Sequence, residues 1–214
     1  LNYACKSKEL WDVPCPIFVR SIAMEGKIGP VAGSSHHSLY HRMPGIKIAS
    51  PMTPKEYKKI YENFMKEDEV YYVSEHRGSF NNNKELPDII VKKTELVIFA
   101  ISITRFEAKK AIEILNREKF KISLCNILWI KPLKINKKFI DLLKNSKHGG
   151  LVIDDDYEDG VAKSIANDLS LRSNKKIHTL GLKNKSAGFS KKGDNLPPSH
   201  KEIISKIKRI LSQN

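Results

Sequence analysis

The sequence predicts an α/β protein of two lobes, the second built on a mainly parallel sheet, and three observations carry that reading. From about Leu96 onward, apolar runs of strand length alternate with amphipathic helical segments, as parallel strands joined by right-handed crossovers require. The first 85 residues mix strand and helix patterns without that regular alternation. Between the two regions, RGSFNNNKELPD (77–88) is polar and rich in turn formers, which places a linker there. The chain is therefore divided into residues 1–85 and 86–214.

Asn2 to Lys6 begins as though already inside a helix and position 1 is Leu, so an upstream portion is expected. PIFVRSI (16–22), GIKIASP (45–51) and EVYYVSE (69–75) have strand character. Thr53-Pro54-Lys55-Glu56 supplies a helix cap, an N1 proline and an N3 glutamate in order, ahead of the helix YKKIYENFMKE. Tyr61, Phe64, Val70, Tyr71 and Tyr72 are expected in the core.

In the second lobe LVIFAIS (96–102) is a buried-strand run, and Thr104 with Glu107 reads as a capping box for RFEAKKAIEILNRE. Ala108, Ala111, Ile112 and Leu115 form the buried stripe of that helix. FKISLCNI (120–127) is the next strand, Pro132 breaks the chain, and NKKFIDLLKNS is a shorter helix. GGLVIDDD (149–156) is a strand entered through glycine; DGVAKSIANDLS follows with Val161, Ile165 and Leu169 on one face. KKIHTLGL is the last strand, and SHKEIISKIKRIL closes the chain behind a Ser199/Glu202 capping box.

Composition narrows the function. The 214 residues are 40% apolar, with no apolar run of membrane-spanning length and no basic-then-apolar leader, so a globular, cytoplasmic protein is expected. Three cysteines, Cys5, Cys15 and Cys125, match neither a disulfide framework nor paired zinc ligands. The net charge of +14 comes from 31 Lys against 7 Arg spread along the whole chain. Scarce arginine and the lack of an aromatic-interleaved basic stripe tell against nucleic-acid recognition, while a polyanionic partner or cofactor stays compatible.

The segment GSSHHSLYHRMP (33–44) gathers His36, His37 and His41. His37 and His41 are four apart, but glycine and serine before them and Pro44 after them leave little helix, and no carboxylate or cysteine nearby in sequence completes a tetrahedral metal site. His41 reads as a helix-end residue. Asp154, Asp155 and Asp156 stand at the C-terminal end of a parallel strand, where α/β clefts open; a solvated strand end or subunit contact is the simpler expectation, a cation site the sharper one.

Taken in order, PIFVR, the glycine-rich loop ending in His37-Ser38, MPGIKIASPMTPKEYKKI, EVYYVSEHR, IKPLKI and GGLVIDDDYEDGVAKSIANDL resemble segments of transketolase-like proteins, and in particular the beta subunit of thiamin-diphosphate-dependent 2-oxo acid dehydrogenases. The resemblance implies the C-terminal part of a pyrimidine-binding domain followed by a transketolase C-terminal-like domain. It implies thiamin diphosphate with Mg2+ as cofactor, the diphosphate and metal held by an alpha-type partner subunit, since no GDG motif with a downstream Asn is present here; Gly193-Asp194 lacks that context. Homodimerisation through the C-terminal domain, a lipoyl acyltransferase core and a small 2-oxo acid or ketose substrate follow from the same likeness. His37, aligned with the histidine of the family's H-S-Q loop, is the implied catalytic residue, with His36, Ser38, His76 and Arg77 at the substrate or its entrance. Leu39 stands where the family has glutamine, the stretch from His37 to Pro44 is shorter than the family's, and the cofactor-activating glutamate lies upstream of Leu1. A transketolase or decarboxylase half-protein and a non-catalytic dimerisation module are the alternative readings.

Overall fold

A computed structural model describes residues 1–24, 33–185 and 195–213. The glycine-rich approach to His36 and the Gly193-Asp194 pair therefore lie outside the described residues in whole or in part. In chain order the elements are α1 (Asn2–Trp11), β1 (Ile17–Ala23), α2 (His37–His41), β2 (Ile46–Ala49), α3 (Pro54–Phe64), β3 (Val70–His76), a 3-10 turn (Arg77–Ser79), β4 (Leu96–Ile101), α4 (Thr104–Arg117), β5 (Ile122–Ile127), β6 (Trp129–Lys131), α5 (Lys137–Asn145), β7 (Gly150–Tyr157), α6 (Val161–Ser173), β8 (Ile177–Leu182) and α7 (His200–Leu211).

The α/β, two-sheet expectation matches what is found. One sheet has the order β1-β3-β2-β6, the other β5-β4-β7-β8. The second is parallel throughout. Its strands are continuous apolar runs because both faces are covered. Along β4 alternate side chains diverge: Leu96, Ile98 and Ala100 pack under α4 and α7 with Ile112, Leu115, Ile203 and Ile207. Val97, Phe99 and Ile101 point the other way, into a cluster containing Phe139 and Leu143 of α5, Ile165 and Leu169 of α6, and Ile46, Ile48, Val70 and Tyr72 of the first sheet. The two sheets thus share one core, with α5 and α6 packed into it.

Several local expectations need correction. Trp129–Lys131, which the sequence pattern does not mark, is a strand that ends just before Pro132: β6 leaves the second region of the sequence and pairs antiparallel with β2, Ile48 opposite Lys131 and Ala49 opposite Trp129. Thr104 does not cap α4. Its hydroxyl donates to the Ile101 and Ile153 carbonyls, tying α4 to β4 and β7, and Ile103 occupies the cap position. Tyr61 is 41% exposed on the outer face of α3, where it stacks on Phe18. The Ser199/Glu202 capping box is present as read, and Thr53 and Pro54 begin α3 as read, although Thr53 Oγ1 donates to Glu85 and accepts from no amide of its own helix.

Candidate functional site

β7 carries the sequence's one run of acid at the end of an apolar strand. Side chains alternate across a strand, so Asp154 and Asp156 share the face of Val152, toward the first sheet, and Asp155 shares the face of Leu151 and Ile153. The first sheet answers with β3, where Ser74 follows Val70 and Tyr72 on the inward face. Between them sits the short helix α2, whose first residue is His37.

The contacts follow from that placement. His37 Nε2 lies 2.9 Å from Asp154 Oδ2 and 3.8 Å from Asp156 Oδ2, and Nδ1 lies 3.1 Å from Ser74 Oγ. The Ser38 amide donates to Asp156 Oδ2 at 3.1 Å, and Ser38 Oγ accepts from the Val161 amide at 2.9 Å. Ser38 thus caps α6 from another part of the chain, which the helix needs because its own cap residue, Gly160, has no side chain. A Cβ on Gly160 would overlap Ser38 Oγ. Ser35 and Ser102 hydroxyls both donate to Asp155 Oδ2, at 2.8 and 2.9 Å.

The imidazole and the three carboxylates are out of water: His37, Asp154 and Asp155 are 0% exposed and Asp156 3%. The expectation of a solvated aspartate run is corrected, because the shared core closes over the strand end. Burial pulls the His37 imidazole down, but the Asp154 charge and hydrogen bond, with Asp156 and Asp155 behind them, prevail and set it at about 9. Burial and the neighbouring Asp154 charge push the Asp155 carboxyl up to about 7, against His37 and the two serine hydroxyls. At neutral pH the imidazole is a cation donating from both ring nitrogens, Nε2–H to Asp154 and Nδ1–H to Ser74.

His37, Asp154 and Asp155, far apart in sequence, bring potential ligand atoms within 4.8 Å of one another, but the imidazole would have to give up a ring proton before it could bind a cation. The sequence marks the histidines of 36–41 and the aspartates of 154–156 as separate candidates and does not join His37 to the aspartates. Their pairing with His37 is not legible locally; the signal for the aspartates themselves is three acids continuing an otherwise apolar parallel strand. The Ser-His-Asp connectivity is that of a hydrolytic triad, yet it is enclosed on every side, so Ser74 is a hydrogen-bond acceptor here and not an accessible nucleophile.

A second polar contact joins the lobes. Arg105, 0% exposed in the first turn of α4, donates from Nη1 and Nη2 to the two oxygens of Glu56 in the first turn of α3, at 2.9 and 2.6 Å, and from Nε to Asn126. Glu56 also accepts from the Met52 amide at 2.9 Å. Two helix N-termini converge there, and a carboxylate is favourable before both.

The remaining predicted residues lie apart from the His37 cluster. His36 is the half-buried cap residue of α2. His76 ends β3 buried; its Nδ1 accepts from the Gly78 amide, and burial lowers it to about 4. Arg77 is exposed, its guanidinium 3.7 Å from the Met24 sulfur. His41 ends α2, and its carbonyl accepts from Lys131. Near the C-terminal ends of β1 and β2 a cleft of about 260 Å3 is walled by Tyr57, Phe80 and Met52 with Arg20, Thr53 and Asn82 at its edge. Arg20 is held bidentate by the buried Glu75, at 2.7 and 2.8 Å.

With that geometry in place, comparison with solved structures gives a similarity to one described as a split-gene transketolase, inactive beta4 tetramer, with a TM-score of 0.68 and 12% identity. The alignment covers 91% of this chain and 66% of that one, so the chain spans less than two thirds of that neighbour's length. The likeness shows a transketolase-like fold. No protein-family model and no curated protein matches the sequence.

Proposed function

We propose that the chain is a beta-type subunit, or part of one, of a thiamin-diphosphate-dependent enzyme acting on 2-oxo acids. The observation that carries the reading is the His37-Ser38 segment fastened across the C-terminal ends of both sheets, which is where α/β folds present ligands. The segment-by-segment resemblance and the transketolase-like fold support it. His37 is proposed as the residue on which the site depends. Through Asp154 and Ser74 it fixes α2 and so positions His36, while His76 and Arg77, proposed for the entrance, are set by the end of β3.

The residues present fit half of the cofactor. The cleft beside Tyr57 and Phe80 offers an aromatic wall with polar groups at its edge, suited to a planar aminopyrimidine ring. Among its lining residues the one cation is Arg20, already engaged by Glu75, so the diphosphate and Mg2+ belong to an alpha-type partner subunit. When bound, the cofactor supplies the electron sink for decarboxylation. This chain's own residues would orient it and exclude water. A homodimer through the C-terminal lobe, an acyl-accepting lipoyl core and cytoplasmic residence belong to the same proposal; no helix among the described residues is long and apolar enough to cross a membrane.

The test is to produce the chain with its upstream residues together with a diphosphate-binding subunit and to measure cofactor-dependent release of carbon dioxide from a series of 2-oxo acids. Turnover that falls at least tenfold in His37→Gln, with the fold retained, supports the reading; no turnover with any partner, or turnover indifferent to His37, overturns it. One observation favours a second reading, a non-catalytic module retaining the fold: both ring nitrogens of His37 are occupied within the chain and the ring does not reach solvent. Stable association with a partner subunit, without turnover, would select it.

A further inference from the structure

At the opposite end of the second sheet from the aspartates, two turns meet. One runs from α5 into β7 and carries Lys147 and His148; the other runs from α6 into β8 and carries Lys175 and Lys176. Gly149, at φ +76, allows the close approach: a Cβ there would collide with the Lys176 carbonyl oxygen. The Gly150 amide donates to that same oxygen at 3.1 Å, and the His148 amide to the Glu95 carbonyl at 2.8 Å. The backbone thereby builds a hollow of about 290 Å3, with His178 of β8 on one wall and Ile210 of α7 on another.

Its charge is one-sided. Among the described residues, Lys147, Lys175, Lys176, Lys206 and Arg209 have no carboxylate within ion-pair distance, whereas the nearby Lys208 and Lys183 pair with Glu118 and Glu158. Burial and then Lys176, Lys206 and Arg209 lower the His178 imidazole, which registers the positive field over the hollow. The carboxylate that acts on Lys206, Glu158, is already bonded by Thr179 and Lys183.

We infer that this hollow binds the phosphate groups of a small phosphorylated anion of the diphosphate class. Lysine ammonium groups bind phosphate as point charges without the planar geometry arginine demands. The hollow is lined by no Phe, Tyr or Trp on which a base could stack, which suits a compact di-anionic group better than a nucleobase. The inference does not depend on the function proposed above, since the hollow lies at the other end of β7 from His37.

Inorganic pyrophosphate titrated into the full chain at physiological ionic strength, followed by calorimetry and by amide shifts of residues 147–150 and 175–178, is the test. Saturable binding of one equivalent, weakened at least tenfold by Lys175→Glu with Lys176→Glu and unchanged by Lys59→Glu on α3, is expected. No saturable binding, or equal weakening by the Lys59 control, would overturn it. Tighter binding of a short duplex DNA with steep salt dependence would overturn it as well, assigning the charge to nucleic acid.

Discussion

Two ion pairs fasten the lobes together, and they differ in chemistry more than in place. Arg105 and Glu56 meet where the N-termini of α3 and α4 converge. His37 and Asp154 meet beside α2, deep in the shared core. The guanidinium keeps its charge at any pH a protein survives. The imidazole holds its own only because three aspartates surround it, and it can let go within an accessible range. One contact is therefore a permanent clasp and the other a titratable one, although both bury a cation completely.

The comparison breaks first by removing a partner. Arg105→Ala strands Glu56 between two helices, and Arg105→Lys loses the bidentate geometry; the alanine variant is expected to cost about 3–5 kcal/mol, as for breaking a buried pair. Denaturant unfolding measured at pH 6 and at pH 9 should give the same loss. His37→Gln at pH 6 should cost on the order of 3 kcal/mol, because Asp154 is left buried without its cation.

A pH series sharpens the difference. The folded pKa of His37 lies near 9, above an unfolded value near 6.5, so its contribution is complete below about 6.5 and fades as pH rises through 9. Asp155, raised to about 7, has the same sign over a lower window: its contribution is present below its unfolded pKa and declines as pH rises through 7. The stability gap between the parent chain and His37→Gln should therefore shrink by a few kcal/mol between pH 6.5 and 9.5. The gap for Arg105→Ala should not. The smallest effect is expected at the cap: Ser38→Ala removes the hydroxyl that accepts from Val161 and should cost about 1 kcal/mol, read as a lower melting temperature.

How much of this the sequence displayed depends on whether a feature is local. Strand and helix periodicity, the Thr53-Pro54 start of α3 and the Ser199/Glu202 box are written within a few neighbouring residues, and each is found where the pattern puts it. The three-residue strand β6 was not legible, because its only support is β2, distant in sequence, and a following proline reads as an interruption. Glu56 was legible as a helix-start acid but not as the partner of Arg105, since nothing local relates α3 to α4. For the candidate site, the His37-Ser38 segment stood out, while its partners did not. Asp154 to Asp156 look like a solvated end until the first sheet closes over them, and only the alternation along β7 hints that two of the three share the face of Val152.

Whether His37 stands charged between the two sheets is tested most directly by an NMR titration of its imidazole in the intact chain. A ring that stays protonated at pH 7.5 and titrates near 9, with its Nε2 proton sheltered from exchange, is the predicted result. A ring that titrates at or below 6.5 would show that the imidazole is not held by Asp154, and the titratable clasp would have to be abandoned.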